Sequence, residues 1–101
     1  MEIKEAQKQS FKILEGINKA LGTQHKSGGM MLSLIEEVGE VARELSKKQS
    51  NYRGGFSKEE LGDELSDVIS RVFVIAEDNG IEIEEAFVQK LNKVKERFKL
   101  E

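Results

Sequence analysis

The sequence predicts an all-α protein built as a four-helix bundle, and three observations support this fold class. Apolar residues recur at three- and four-residue steps along most of the chain, which is the periodicity of amphipathic helices. The composition suits helices, with 35% charged and 6% aromatic residues and no Pro or Trp. Glycine-containing connections divide the periodic segments into four. A chain of 101 residues has room for one domain, so we expect residues 1–101 to form a single domain.

The first two helices are bounded by turn signals. Helix one is expected from Ile3 to about Leu21, where the apolar periodicity stops before a connection rich in glycine. Helix two is expected from residue 29 or 30 to Lys48. Its last turn is basic, which suits the negative end of a helix dipole.

The last two helices have clearer start and stop signals. Ser57 and Glu60 form the pattern of a capping box, so helix three is expected to begin after Ser57. It is expected to end at Asn79 and Gly80, since a glycine can take the left-handed conformation that terminates helices. Helix four is expected over residues 83–99 and is the most basic stretch of the chain.

Helices two and three each carry an acidic face. At about 100° per residue, four glutamates of helix two share one sector, and an apolar stripe that we expect to face the core fills the opposite sector. The glutamates are Glu36, Glu37, Glu40 and Glu44, and the stripe is Met31, Leu34, Ile35, Val38, Ala42 and Leu45. Helix three repeats the arrangement with Glu64 and Asp67, three residues apart. Packed side by side, the two helices could aim four carboxylates at one point: Glu37, Glu40, Glu64 and Asp67.

Converging carboxylates would need a compensating cation, because their pKa values would otherwise rise. The chain has no Cys and one His, so oxygen ligation favours a hard ion such as Mg²⁺, with Mn²⁺ as a substitute. Mg²⁺ usually completes its coordination with waters and substrate phosphates, so a phosphate-bearing ligand is expected. The competing interpretation is that 16 glutamates in 101 residues fall at three-residue spacing by chance on solvated helix faces.

Composition also excludes several other functions. The net charge of -3 and pI near 5.3 argue against a protein that binds the nucleic-acid backbone. His25, expected to be a solvated loop residue, is the only His, so the Glu-x-x-His pairs of a di-iron bundle cannot form. No apolar run approaches 18 residues and the N-terminus lacks the plan of a secretion signal, so we expect a soluble, cytoplasmic protein with no membrane partner.

The two acidic motifs together resemble a known family. Residues 36–40 read Glu-Glu-Val-Gly-Glu, and Glu-Leu-Ser-Asp follows at 64–67 after 23 intervening residues. This pair resembles the EExxE and ExxD signature of the MazG-type all-α nucleoside triphosphate pyrophosphohydrolases, and the likeness covers roughly residues 30–98. The resemblance implies cleavage of an NTP or dNTP between its α and β phosphates to nucleoside monophosphate and pyrophosphate, as a house-cleaning enzyme would perform it.

The resemblance also implies roles for individual residues. Glu36 would assist a second ion or the attacking water, and four residues would bind Mg²⁺: Glu37, Glu40, Glu64 and Asp67. Lys90 and Arg97-Phe98 match a basic, aromatic-flanked pattern near the C-terminus of similar proteins and are candidates for binding the phosphates. Further candidate cations are Lys47, Lys48, Lys58 and Arg71. For the base, Tyr52 and Phe56 are the candidate partners, since they lie in the loop between the two acidic helices.

The sequence also gives expectations about the oligomeric state, and it leaves two alternative functions open. Phe73 and Val74 lie off the main apolar stripe of helix three, which suggests that this helix has more than one packed neighbour or is covered by another subunit. The family resemblance likewise implies a homo-oligomer, most simply a dimer and in some relatives a tetramer. One alternative to an enzyme is a non-catalytic helical interaction module with solvated acidic faces. Another keeps the site but hydrolyses a diphosphate or a different phosphorylated metabolite.

Overall fold

The computed structural model describes residues 1–23, 27–50 and 55–101, the side chains of residues 27, 28 and 50 excepted. It contains four helices: α1 (Ile3–Leu21), α2 (Ser27–Ser50), α3 (Lys58–Asp78) and α4 (Ile83–Arg97). Within the described ranges no residue lies in a strand. The prediction of an all-α fold with four helices is confirmed.

The helix ends follow the local sequence signals closely. α1 stops at Gly22, which takes the left-handed conformation (φ 66°) and whose N–H donates to the Asn18 carbonyl. Ser57 caps α3, since its Oγ accepts a hydrogen bond from the Glu60 N–H at 3.3 Å. After α3 the left-handed residue is Gly80, also at φ 66°. α2 runs on to Ser50, beyond the expected end at Lys48, because no Gly or Pro stops it there.

α3 is the central helix. It packs against α2 on one side and α1 on the other, while α4 packs chiefly against α1. The core lies along α3, where α1 and α2 pack against it, and among the described residues its buried apolar side chains are Met30, Val74 and Ala76. Val74 is therefore buried within the chain, and Phe73 is half-buried. The expectation that α3 has more than one packed neighbour is confirmed, and the alternative that another subunit covers Val74 is wrong.

A buried glutamine fixes the start of α4. Gln7 is 3% exposed, and its side-chain amide donates to Glu77 Oε2 at 2.9 Å and to the Ile81 carbonyl at 2.6 Å. Its Oε1 accepts a hydrogen bond from the Ile83 N–H at 3.1 Å. One side chain of α1 thus satisfies backbone groups of the α3–α4 turn and the first turn of α4.

The apolar stripe of α2 does not face the core of the single chain, so this expectation is wrong for most of its members. Met31, Ile35, Val38 and Leu45 are 49%, 56%, 50% and 43% exposed. Leu34 alone of the stripe is half-buried. The physical reason is that α2 meets α3 through the edge of the helix that carries its glutamates, which turns the stripe outward.

Candidate metal centre

Three carboxylates from two helices meet between α2 and α3. Glu37 projects from α2, and Glu64 and Asp67 project from α3, where their three-residue step places them on one face. One oxygen of each lies within 4.8 Å of the others, and all three residues are half-buried. Within the described part of the chain, no other group of His, Cys, Asp and Glu residues has this metal-ligand geometry.

The other two acidic residues of the motif lie outside this group. Glu40 accepts a hydrogen bond from Arg43 at 3.5 Å and lines a neighbouring cavity together with Glu64. Glu36 is exposed. The expectation of four carboxylates around one point therefore holds for Glu37, Glu64 and Asp67, with Glu40 beside them.

The carboxylates act on one another electrostatically. Partial burial raises the pKa of Glu64 above its ordinary value, and the negative charges of Glu40, Glu37, Asp67 and Glu44 raise it further. A raised pKa means that the ionised form of Glu64 is disfavoured without a cation. Oxygen atoms are the only potential ligands in the group, and such a donor set fits a hard divalent ion such as Mg²⁺.

Arg71 borders the cluster. Its Nη2 donates to Glu37 Oε1 at 3.4 Å, and its Nε donates to Ser33 Oγ at 3.0 Å. These two contacts hold the guanidinium against the Glu37 carboxylate, so Arg71 orients a candidate ligand. Sequence reasoning missed Ser33, although it lies four residues before Glu37 and therefore on the same helix face.

The C-terminal cations lie away from the cluster in the single chain. Lys90 and Arg97 are exposed on α4, which packs chiefly against α1. The Arg97 guanidinium lies 5.5 Å from the centre of the Phe98 ring. α4 therefore presents its basic residues to solvent or to another molecule.

Of the two aromatic residues expected to contact the base, the structure describes Phe56. Phe56 is half-buried, and the Lys48 Nζ lies 5.2 Å from the centre of its ring, a cation–π contact. Lys48, near the end of α2, thus contacts the ring of Phe56, which lies just before α3. Tyr52 and His25 lie outside the described residues.

Glu44 and Lys47 form an ion pair near the site that the sequence analysis did not predict. Glu44 is 7% exposed, and its Oε1 lies 3.0 Å from the Lys47 Nζ. The three-residue spacing of this pair on one helix face was the available signal, but such pairs are common on solvated helices.

The fold and the site define an all-α protein with a cluster of three carboxylates, in metal-ligand geometry, between two adjacent helices. Residues 25–100 match the model of the MazG nucleotide pyrophosphohydrolase domain. Because the match covers well over half of the chain, the protein belongs to the MazG nucleotide pyrophosphohydrolase family. A comparison with curated proteins found no match. In the helices that the structure describes, no segment has the length and apolar character needed to span a membrane.

Proposed function

We propose that the protein hydrolyses nucleoside triphosphates, either NTPs or dNTPs, between the α and β phosphates and releases nucleoside monophosphate and pyrophosphate. One observation carries the proposal: Glu37, Glu64 and Asp67 approach within 4.8 Å in a chain of the MazG family. Acidic side chains this close together are unfavourable without a cation, so the arrangement suits a site that binds one.

The proposed cofactor is Mg²⁺, with Mn²⁺ as a substitute. Glu37, Glu64 and Asp67 would hold it, and Glu40 is near enough to act on Glu64 electrostatically. When bound, a divalent ion would draw charge from the triphosphate oxygens and lower the pKa of a water that attacks the α phosphorus. The residues of the chain would position the reacting groups.

Two further residues have proposed roles around the carboxylates. Arg71 holds the carboxylate of Glu37 through its guanidinium, and this preorganises one side of the ligand group. Glu36 is exposed beside Glu37 and is proposed to orient the attacking water or to assist a second ion. These roles would leave the substrate phosphates to be bound by other cations.

The proposed phosphate-binding cations are Lys90 and Arg97. Since α4 packs chiefly against α1 of its own chain, we propose that these cations reach the acidic cluster of a second copy in an assembled dimer. Tyr52 and Phe56 are the proposed contacts of the nucleobase. In the sequence both lie between the two acidic motifs.

We propose that residues 1–101 form one domain and that the domain works as a homodimer. The accessible surface of the chain is 8074 Å². A monomeric protein of 11.4 kDa is expected to expose about 5,800 Å², so the excess is about 2,300 Å². The radius of gyration is 16.4 Å, against about 13 Å for a compact chain of this length. A stable interface needs only about 800 Å² per partner.

The proposed interface includes the outward stripe of α2, where Ile35 and Val38 are 56% and 50% exposed. Burial of such side chains is favourable, and a second copy of the same stripe would be self-complementary across a twofold axis. This assembly would also bury the surface of α2 that the single chain leaves in water.

The activity is tested by incubating the purified protein with each NTP and dNTP plus Mg²⁺ and by identifying the products. Nucleoside monophosphate and pyrophosphate are expected. Asp67→Asn should abolish turnover while the helices remain intact by circular dichroism, and Glu59→Gln, an exposed change on the same helix, should leave turnover unchanged. Orthophosphate released from a triphosphate would contradict α–β cleavage, and no turnover at all would favour an interaction module.

A further inference from the structure

A cavity of about 190 Å³ lies between α1, α2 and α3, next to the group of three carboxylates. Ser33 and Arg71 line this cavity. The same Arg71 donates from its Nη2 to Glu37 Oε1 at 3.4 Å, and Glu37 is a member of the carboxylate group. A single side chain therefore separates the cavity from the candidate metal centre. The roles proposed above leave the cavity without a ligand.

Most of the cavity wall is aliphatic. Leu14 of α1, Met30 of α2 and Val74 of α3 line it, and the last two are only 3% and 5% exposed. Ile13 and Ile17 also line it, yet they are 61% and 47% exposed, so apolar surface around the cavity remains in water. A flat ring that covered this surface would bind favourably. Clefts that enclose a whole small ligand measure about 300–1,000 Å³, so this cavity suits one ring of a larger molecule.

Arg71 is the charged residue of the cavity wall. Its Nε donates to Ser33 Oγ at 3.0 Å and its Nη2 donates to Glu37, whereas its Nη1 has no hydrogen bond or ion pair with any residue that the structure describes. The other polar lining residues are Ser10, Ser33 and Ser70, whose hydroxyl groups both donate and accept. A guanidinium group only donates, so a carbonyl oxygen matches Arg71 and an amino group opposes it.

We propose that this cavity binds the nucleobase of the triphosphate and that Arg71 selects bases that present a carbonyl oxygen to it. The inference rests on the proposed function, because the phosphates would lie at the neighbouring carboxylate group. Proteins read a single base by placing it between aromatic or apolar side chains and by hydrogen bonds to its edge, and the cavity offers both. Hypoxanthine, guanine, uracil and thymine carry an oxygen where adenine and cytosine carry an amino group, so the first four form the preferred class.

Phe56 is the competing contact of the base, and it lies at a different place along α2. Its ring faces Lys48, which follows Glu37 by about 16 Å of helix, whereas Ser33 precedes Glu37 by about 6 Å. The cavity and Phe56 therefore lie on opposite sides of Glu37 along the axis of α2. The cavity has an aliphatic wall and offers the Arg71 Nη1 as a donor, while the Phe56 ring already contacts a cation. These features favour the cavity.

The first test compares kcat/KM for ITP with kcat/KM for ATP, because the two bases differ only at the edge that carries the oxygen or the amino group. The wild type should favour ITP by at least about tenfold, since an amino group would leave donors facing each other. Arg71→Gln should bring the ratio close to one, because an amide both donates and accepts. This variant should slow both substrates through Glu37, and the ratio cancels that effect.

Phe56→Leu is the control for the competing location and should keep the preference for ITP. A wild-type ratio near one overturns the inference, and so does a preference that Arg71→Gln leaves unchanged. A preference that is lost in Phe56→Leu and kept in Arg71→Gln assigns the base to Phe56 and also overturns the inference.

A binding measurement separates the inference from the proposed function. Inosine has no phosphates, and titration of the metal-free, isotope-labelled full-length protein with it should shift the backbone amide signals of Leu14 and Val74. Ser70→Leu should abolish these shifts by filling the cavity, and the matched control Ser66→Leu, exposed on the same helix, should keep them. Shifts around Phe56 instead, or no shifts, overturn the inference. Shifts at the cavity in a protein that hydrolyses no triphosphate overturn the proposed function and leave the base site standing.

Discussion

Replacement of Ile35 by Ala should weaken the proposed homodimer measurably. Ile35 lies on the outward stripe of α2 and is 56% exposed in the single chain. Complete burial of an Ile side chain contributes about 1.5–3 kcal/mol, so burial of the exposed half by a partner contributes about 1–1.5 kcal/mol. A twofold interface contains the residue twice, and the loss is therefore about 2–3 kcal/mol per dimer. The dissociation constant should rise by about 30- to 150-fold.

The assay is sedimentation velocity over a dilution series of each protein. Leu100→Ala serves as the control, because Leu100 is 62% exposed beyond the end of α4 and lies outside the stripe. Circular dichroism should show that both variants keep their helices, since both side chains are more than half exposed in the single chain. A wild-type protein that sediments as a monomer throughout the series would refute the reasoning. An unchanged dissociation constant for Ile35→Ala would refute the choice of surface.

Three further predictions concern the site and the fold. Asp67→Asn should raise the melting temperature of the metal-free protein, because it relieves repulsion among close carboxylates. The same variant should gain less stability from Mg²⁺ than the wild type does. Differential scanning calorimetry with and without Mg²⁺ measures both effects. The raised pKa of Glu64 means that the folded state binds this proton more tightly than the unfolded state, so metal-free stability should fall as the pH rises through that pKa. Denaturant titrations at several pH values should show that Glu64→Gln flattens this dependence. Gln7→Ala should cost about 1–3 kcal/mol, because it leaves partly buried groups such as the Ile83 N–H without their partner, and hydrogen exchange should accelerate in α4.

Local signals predicted the helices well. Gly22 and Gly80 end their helices in the left-handed conformation, and Ser57 caps α3, because these features depend on residues a few positions apart. Helical periodicity also placed Glu64 and Asp67 on one face of α3. Their approach to Glu37 needed in addition that the acidic faces of α2 and α3 pack together, which was a hypothesis that the structure bears out.

The orientation of α2 was not predictable from its own sequence. The stripe that contains Ile35 and Val38 is the most apolar surface of this helix, and periodicity alone assigns such a surface to the core. The single chain instead buries Glu44 and half-buries Glu37 against α3. Periodicity reports which surface prefers burial, and it does not distinguish burial within a chain from burial between two chains.

Long-range polar contacts were equally invisible in the sequence. Gln7 bonds to groups 70 and 74 residues away, and nothing in its neighbourhood on α1 marks it. Arg71 was one candidate for binding phosphate, and that role stays a prediction, but its contacts with Ser33 and Glu37 were not foreseen. Both contacts depend on how α1, α2 and α3 pack, which the helix patterns leave open.

The most direct test of the metal centre is anomalous diffraction from a crystal of the protein grown with Mn²⁺ and a non-hydrolysable NTP analogue. The account predicts an anomalous peak contacted by carboxylate oxygens of Glu37, Glu64 and Asp67, with the phosphates of the analogue on its open side. Mn²⁺ bound elsewhere, with these three carboxylates pointing apart and the analogue absent from the region between α2 and α3, would contradict it.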